Sequence, residues 1–339
     1  MDNGADKQIL KLSSSPHISS GYSVDIIMRN VVYALLPVAV FSIYCYGLVA
    51  LAVLLTAVLS CLATEYFLNR TIHSTITLSD WSAVITGLIY GLTLPPNLPL
   101  WMVCVGGAIG VGLGKFLFGG LGNNLFNPAL VGRLFLQSAF PVSMTTWWPA
   151  FLAHRFTSLP ASSLTLPFLA PVYDTQTGAT PLAQIKFDGI PTDVFDLFVG
   201  FTHGSLGESS ALLILFGGGY LVIRNMMNWR IPLGIFLAVI IASEVFNLMG
   251  SQLYGQPLLM LFSGGLMLGA VFMATDMVAS PVTDRGCFVY GLVIGLLVMV
   301  MRYWGGMPES VMYAILLGNA VSPLIDRFMQ PVPFGVEKL

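Results

Sequence analysis

Charge is what this chain lacks. Its 339 residues include 14 basic and 16 acidic side chains, while 56% are hydrophobic and the mean hydropathy is +0.82. A water-soluble protein of this length needs a denser charged surface to stay dispersed. A bilayer as solvent removes that need, so the class is an all-α polytopic membrane protein. With a net charge of −2 and no basic face, a nucleic-acid partner is not expected. Cys45, Cys61, Cys104 and Cys287 show no C-x-x-C spacing, which argues against zinc or a self-contained iron–sulfur site. Each reads instead as a small buried hydrophobe. A cleavable signal is missing too: Met1 to Ser23 is mostly polar, and the first apolar run is expected to be an anchor.

What is present is a series of apolar runs, each to be judged against the roughly 20 residues a helix needs to cross hydrocarbon. Asn30 to Leu68 is long enough for two helices, with a break at Tyr46-Gly47. Shorter runs start at Trp81, ending at Leu94-Pro95-Pro96, and cover Leu98–Phe118 and Pro128–Phe140. After a polar interval come Ser209–Ile223, Ile231–Met249, Pro257–Ala274, Gly286–Trp304 and Ser310–Phe328. That makes about ten spans. With the N-terminus inside, Lys7, Lys11, Arg29, Arg70, Lys115, Arg224, Arg230, Arg285, Arg327 and Lys338 fall on or beside cytoplasmic segments. Arg302 is the exception, and the interval Val142 to Glu208 holds only Arg155 and Lys186. Both termini are therefore expected inside and the interval outside.

GLIYGLT (Gly87 to Thr93) is similar to GAVFMAT (Gly269 to Thr275), and each precedes prolines, an apolar span and a basic residue near paired glycines. The two elements lie five spans apart. An odd separation makes the halves inverted, an arrangement that puts ion or cofactor sites near the midplane where spans break. The expected divisions are a cytoplasmic arm (1–29), a first five-helix half (30–141), an outer loop (142–208), a second five-helix half (209–329) and a cytoplasmic tail (330–339).

The outer interval contains DTQTGATPLA (Asp174 to Ala183). Locally, Thr180-Pro181 is a helix start, with threonine as N-cap and proline at the first helical position. Asp174 and Gly178 are ordinary turn residues. The sharper alternative makes the Thr180 hydroxyl a covalent attachment point. Asp174, Thr177, Gly178, Ala179 and Thr180 fit the D-x-x-[S/T]-G-A-T signal at which a flavin transferase joins FMN to threonine through its phosphate. Thr175 and Thr177 read as recognition or turn residues. GGLGNNLFNPALVGRLF (Gly119 to Phe135), LTLPPNLPLW (Leu92 to Trp101), GSLGESSA (Gly204 to Ala211) and MATDMVASPVTDRG (Met273 to Gly286) add to the likeness. From about Ser14 onward the chain resembles the membrane-protein family that is shared by Rnf electron-transport complexes, as their RnfD component, and Na⁺-pumping NADH:quinone reductases, as their NqrB component.

That resemblance implies ten helices in two inverted five-helix repeats, like urea channels, in the bacterial inner membrane. It implies FMN esterified to Thr180, a partner flavin transferase, and the other complex subunits A, B, C, E and G as neighbours in the lipid. The activity implied is ferredoxin:NAD⁺ electron transfer coupled to Na⁺ or H⁺ movement. The short polar arm before the first span favours the Rnf type over the quinone-reductase type, and a non-redox channel of the same fold is the rival class. Asn124 and Asn127 match the family's G-x-N-x-x-N-P motif and are candidate partners of a second flavin, riboflavin; capping the helix at Pro128 is the equal alternative. Glu208 and Asp276 are further candidate cofactor-binding residues. Among ionisable groups at membrane depth, Lys115, Glu65 and Arg302 stand near span ends and are expected to snorkel. Glu244 is expected inside the bundle, and Asp276 to pair with Arg285.

Overall fold

The computed structural model describes residues 23–72, 78–157, 159–167, 169, 171, 180–190, 192–208, 210–250, 256–306 and 308–330. Among them every regular element is helical. Helices α1 (Val24–Tyr46) and α2 (Leu48–Thr71) are separated by Gly47 alone. Helix α1 begins ahead of Asn30, the start read from hydropathy. Next come α3 (Ser82–Leu92), α4 (Leu100–Val111) with a π-helical turn Gly112–Phe116, and α5 (Pro128–Ala139).

The described part of the interval expected as a loop includes short turns: α6 (Pro141–Thr145), α7 (Pro181–Ala183) with a π-helical turn Gln184–Asp188, and α8 (Val194–Val199). Proline at a first helical position starts α6 and α7, and Asp193 caps α8 by accepting the Phe195 N–H at 3.2 Å. His203 anchors this interval, its Nδ1 accepting the Ala150 N–H at 3.2 Å. Burial lowers the imidazole below its usual value, which suits a neutral acceptor.

The second run of long helices is α9 (Ala211–Ile223) and α10 (Arg230–Leu248), then α11 (Pro257–Phe262) and α12 (Leu266–Leu268) with a π-helical turn Gly269–Met273. It ends with α13 (Asp284–Trp304) and α14 (Val311–Phe328). Helix α2 packs on α3 and α4, α4 on α5, α10 on α13, α13 on α14, and α1 on α9. Four helices, α1, α2, α10 and α13, are long and apolar enough to cross a membrane. Their outward faces and those of neighbouring helices carry large apolar side chains such as Tyr33, Val40, Leu59, Phe216, Ile241 and Phe328. Large apolar side chains left outside on helices of membrane length suit hydrocarbon rather than water.

Small residues let α10 and α13 approach backbone to backbone. A Cβ on Gly291 would lie 2.5 Å from the Ile231 carbonyl oxygen. Gly291→Leu is therefore expected to push the pair apart and cost about 1–3 kcal/mol. A lowered thermal midpoint of the detergent-solubilised chain reads this, with Gly219→Ala, which meets nothing within 4 Å, as the unaffected control.

Two sequence expectations fail on helix faces. The buried stripe of α10 runs through Ile235, Ala238, Val239 and Ser243, so Glu244 falls off it and is exposed. Helix α4 buries Met102, Val103, Gly106, Gly107 and Gly110, which leaves Cys104 exposed, while the other three cysteines are buried.

Candidate cofactor sites at the helix breaks

Two helices stop inside the bundle. Helix α3 ends at Leu92, and Thr93 is followed by Leu94-Pro95-Pro96, which cannot continue it. Helix α11 ends at Phe262, and Gly264 and Gly265, both at φ +64°, turn the chain in a left-handed conformation before α12. Each end leaves carbonyls without intrahelical donors. A guanidinium supplies donors at each: Arg133 donates to the Thr93 carbonyl, and Arg302 to the carbonyls of Met260 and, at 2.8 Å, Ser263. Arg302 is 1% exposed, so the snorkelling expected of it is wrong; the α11 carbonyls hold it inside.

Glutamates complete this cluster. Glu309 Oε2 pairs with Arg133 at 3.5 Å, and Glu208 Oε2 accepts the Ser205 N–H at 3.4 Å beside Gly265. The segment carrying Glu208 is fixed against the α3 break, with Leu206 N–H donating to the Leu94 carbonyl at 3.1 Å. Tyr46 supports it, its hydroxyl donating to the Gly204 carbonyl at 3.1 Å. Thr93, Arg133, Ser205, Glu208, Gly264 and Glu309 surround a cavity of about 20 Å³, enough for a water molecule. Among the described residues, the buried Nε–H groups of Arg133 and Arg302 have no hydrogen-bond partner.

Thr180 stands at the edge of this cluster. It caps α7, its Oγ1 accepting the Ala183 N–H at 3.3 Å, and Pro181 takes the first helical position. The residue is 1% exposed. Thr180 is thus seated inward rather than carried on an open loop. Leu182 packs on Gly264, and Lys186 donates to the carbonyls of Arg302 (3.1 Å) and Gly305, which hold the segment to the end of α13. Asp174, Thr177, Gly178 and Ala179 lie outside the described residues. Glu309 escaped sequence reading because Pro308-Glu309-Ser310 looks like a plain turn. A lone acid in an otherwise uncharged stretch was the only signal.

A second cavity, about 120 Å³, is lined by Ser82, Lys115, Asn124, Asn127 and Asp276 among apolar neighbours. Asn127 caps α5, its Oδ1 accepting the Ala129 N–H at 3.0 Å while Nδ2 donates to the Met273 carbonyl at 3.3 Å. Asn124 differs: Nδ2 donates to Phe126 O at 3.3 Å, and among the described residues its buried Oδ1 has no partner. Asp276 accepts the Val278 N–H at 3.2 Å and touches Asn124; among the described residues it makes no ion pair with Arg285. Its carboxyl is occupied by its own turn. Lys115 and Glu65 do not snorkel either. Lys115 Nζ donates to Glu65 Oε1 at 2.8 Å and to Ser82 Oγ at 2.6 Å, with Lys115 3% and Glu65 0% exposed. Each removes the other's reason to reach for water.

Known proteins match this chain along nearly its whole length. Residues 11–335 match the NQR2, RnfD, RnfE family. The D component of the proton-translocating ferredoxin:NAD(+) oxidoreductase complex of Clostridium ljungdahlii is 40% identical, with 98% of each chain covered. Its counterpart in the Na(+)-translocating ferredoxin:NAD(+) oxidoreductase complex of Acetobacterium woodii is 41% identical, covering 97% of this chain and 96% of its own. The D component of the ion-translocating oxidoreductase complex of Stutzerimonas stutzeri is 39% identical over 92% of both. With this coverage and four helices long and apolar enough to cross a membrane, the chain is a membrane protein that belongs to the NQR2, RnfD, RnfE family.

Proposed function

We propose that the chain is the D-type membrane component of an Rnf-type ion-translocating ferredoxin:NAD⁺ oxidoreductase, working beside the complex's other subunits and carrying FMN esterified to Thr180. The observation that carries the first part is end-to-end similarity to the D components of three ion-translocating oxidoreductase complexes. The fit of the residues to the cofactor supports the second. A hydroxyl sits at a helix start beside a cluster that holds two guanidinium groups with unused Nε donors. Such donors suit the anionic phosphate of a flavin ester. Bound there, FMN supplies the electron-transfer chemistry, and the chain's part is to fix its position and electrostatics. A tether also keeps the flavin local at any dilution.

The proposed topology is ten spans in two inverted halves in the bacterial inner membrane, both termini cytoplasmic. It draws support from matching packing, α2 on α4 in the first half and α10 on α13 in the second, and from one broken helix in each. The inner cavity is proposed for riboflavin. The partnerless Asn124 Oδ1 is an acceptor suited to an isoalloxazine N–H, with Asn127 as the support that fixes the loop. The rival channel reading is disfavoured by guanidinium groups filling both helix breaks, where a permeating cation would need free carbonyls.

The test is intact mass and in-gel ultraviolet fluorescence of the chain co-expressed with an active flavin transferase. Wild type is expected to carry one added FMN, Thr180→Ser to keep it, and Thr180→Val to lose it completely. A wild-type chain weighing only its polypeptide sinks the covalent reading.

A further inference from the structure

We propose that a groove along α1 seats one acyl chain of a phospholipid with a net-negative headgroup, and that Arg155 holds that lipid's phosphate. Tyr33, Leu36, Val40 and Tyr44 recur every three or four residues and so form one stripe along α1. All four are exposed. With Leu213 of α9 they line an open groove of about 660 Å³, in which tyrosine hydroxyls are the only polar side-chain groups. From Tyr33 to Tyr44 a helix rises about 16 Å. Hydrocarbon is about 30 Å thick, so the groove is as deep as one leaflet. A partner helix that crosses the membrane would use the whole length of α1, whereas a lipid tail uses half of it.

The groove ends at a cation. Gly47 turns α1 into α2 there, and the segment after α6 is laid across that turn. The Leu48 N–H donates to the Arg155 carbonyl at 2.9 Å, and the Phe151 N–H to the Cys45 carbonyl at 2.9 Å. The approach is so close that a Cβ on Gly47 would overlap the Arg155 carbonyl. Held in this way, the guanidinium carbon stands 5.4 Å from the centre of the Tyr44 ring, 5.8 Å from that of Phe151 and 5.0 Å from that of Phe156. Nη1 donates to the Leu152 carbonyl at 3.2 Å. These contacts fix the side chain without neutralising it. Among the described residues no carboxylate pairs with Arg155, and its Nε has no hydrogen-bond partner. A fixed positive charge at the mouth of an apolar groove suits an anion that carries a hydrocarbon tail. The planar fork of arginine matches two oxygens of a phosphodiester, and arginine with aromatic rings is the chemistry of the headgroup level.

The test is native mass spectrometry of the full-length chain in detergent, titrated with phosphatidylglycerol or with phosphatidylcholine. Wild type is expected to retain one phosphatidylglycerol in preference to phosphatidylcholine. Arg155→Gln is expected to weaken that adduct about tenfold, the worth of one charge-assisted hydrogen bond, and to erase the preference. Arg155→Lys, which keeps the charge but not the fork, should fall between the two. Val40→Trp, which fills the groove, is expected to weaken the adduct, while Leu59→Trp, at an exposed position of α2, leaves it unchanged. Should Arg155→Gln not accumulate, a photo-cross-link in an otherwise unaltered chain decides. With p-benzoylphenylalanine placed at Val40 and irradiated in native membranes, the chain is expected to gain the mass of a phospholipid. A peptide adduct in its place would make the groove the seat of a neighbouring protein's helix and overturn the proposal. An Arg155→Gln chain that retains phosphatidylglycerol as tightly and as selectively as wild type overturns it too.

Discussion

Lys115→Met is expected to cost about 3–5 kcal/mol, because it strands the Glu65 carboxylate in a site that is 0% exposed. A buried charge that loses its counter-ion pays its full desolvation cost, and the nearby Ser82 hydroxyl cannot offset it. That hydroxyl already donates to Asp80 at 2.6 Å. In a protein whose whole stability is of the order of 5–15 kcal/mol, such a loss should appear as a steep fall in folded, monodisperse protein. The partner experiment separates the pair's value from the penalty of breaking it. Lys115→Met combined with Glu65→Leu replaces two charges by apolar side chains of similar bulk. It is expected to recover most of the loss, since such swaps are often neutral. Thermal unfolding in detergent reads both. A double variant as unstable as the single one would mean that the ion pair itself, not its disruption, holds α2 against the end of α4.

Arg302→Met is expected to be at least as damaging, for a different reason. It leaves the Met260 and Ser263 carbonyls without their donor, about 1–3 kcal/mol for each buried group left unmade, and removes a positive charge facing Glu208 and Glu309. Arg302→Lys should rescue only in part, because one ammonium cannot reproduce a fork spanning two carbonyls. The quantity to measure is again the unfolding midpoint, together with protease cutting near Gly264-Gly265. Cutting that does not rise in Arg302→Met would remove the argument that this side chain holds the α11–α12 break in shape.

Much of the helical layout was legible because hydrocarbon imposes its length on the sequence. Gly47 marks the division between α1 and α2, Leu94-Pro95-Pro96 the end of α3, and Asn127-Pro128 and Thr180-Pro181 the starts of α5 and α7. These are local signals, and local chemistry decides them. What sequence reading missed depends on partners far away along the chain. Lys115 and Glu65 looked like snorkelling residues because hydropathy gives depth but not who stands opposite. Glu244 was assigned inward although the stripe through Ile235, Val239 and Ser243 passes beside it. At the candidate site, Thr180 was visible as a residue type, but Glu309, which pairs with Arg133, belongs to a turn 176 residues after it. Helix breaks were foreseen. That arginines would fill them was not, since which cation reaches which carbonyl is a tertiary fact.

The enclosure of Thr180 has a consequence for timing. The segment that carries it is seated on Gly264, through Leu182, and on the carbonyls at the end of α13, through Lys186, all synthesised long after the threonine itself. A ribosome-bound or half-inserted chain therefore offers this hydroxyl openly, and a finished one keeps it covered. An enzyme that must reach it meets an easier target in the young polypeptide, or in one that breathes at this edge, than in the mature fold.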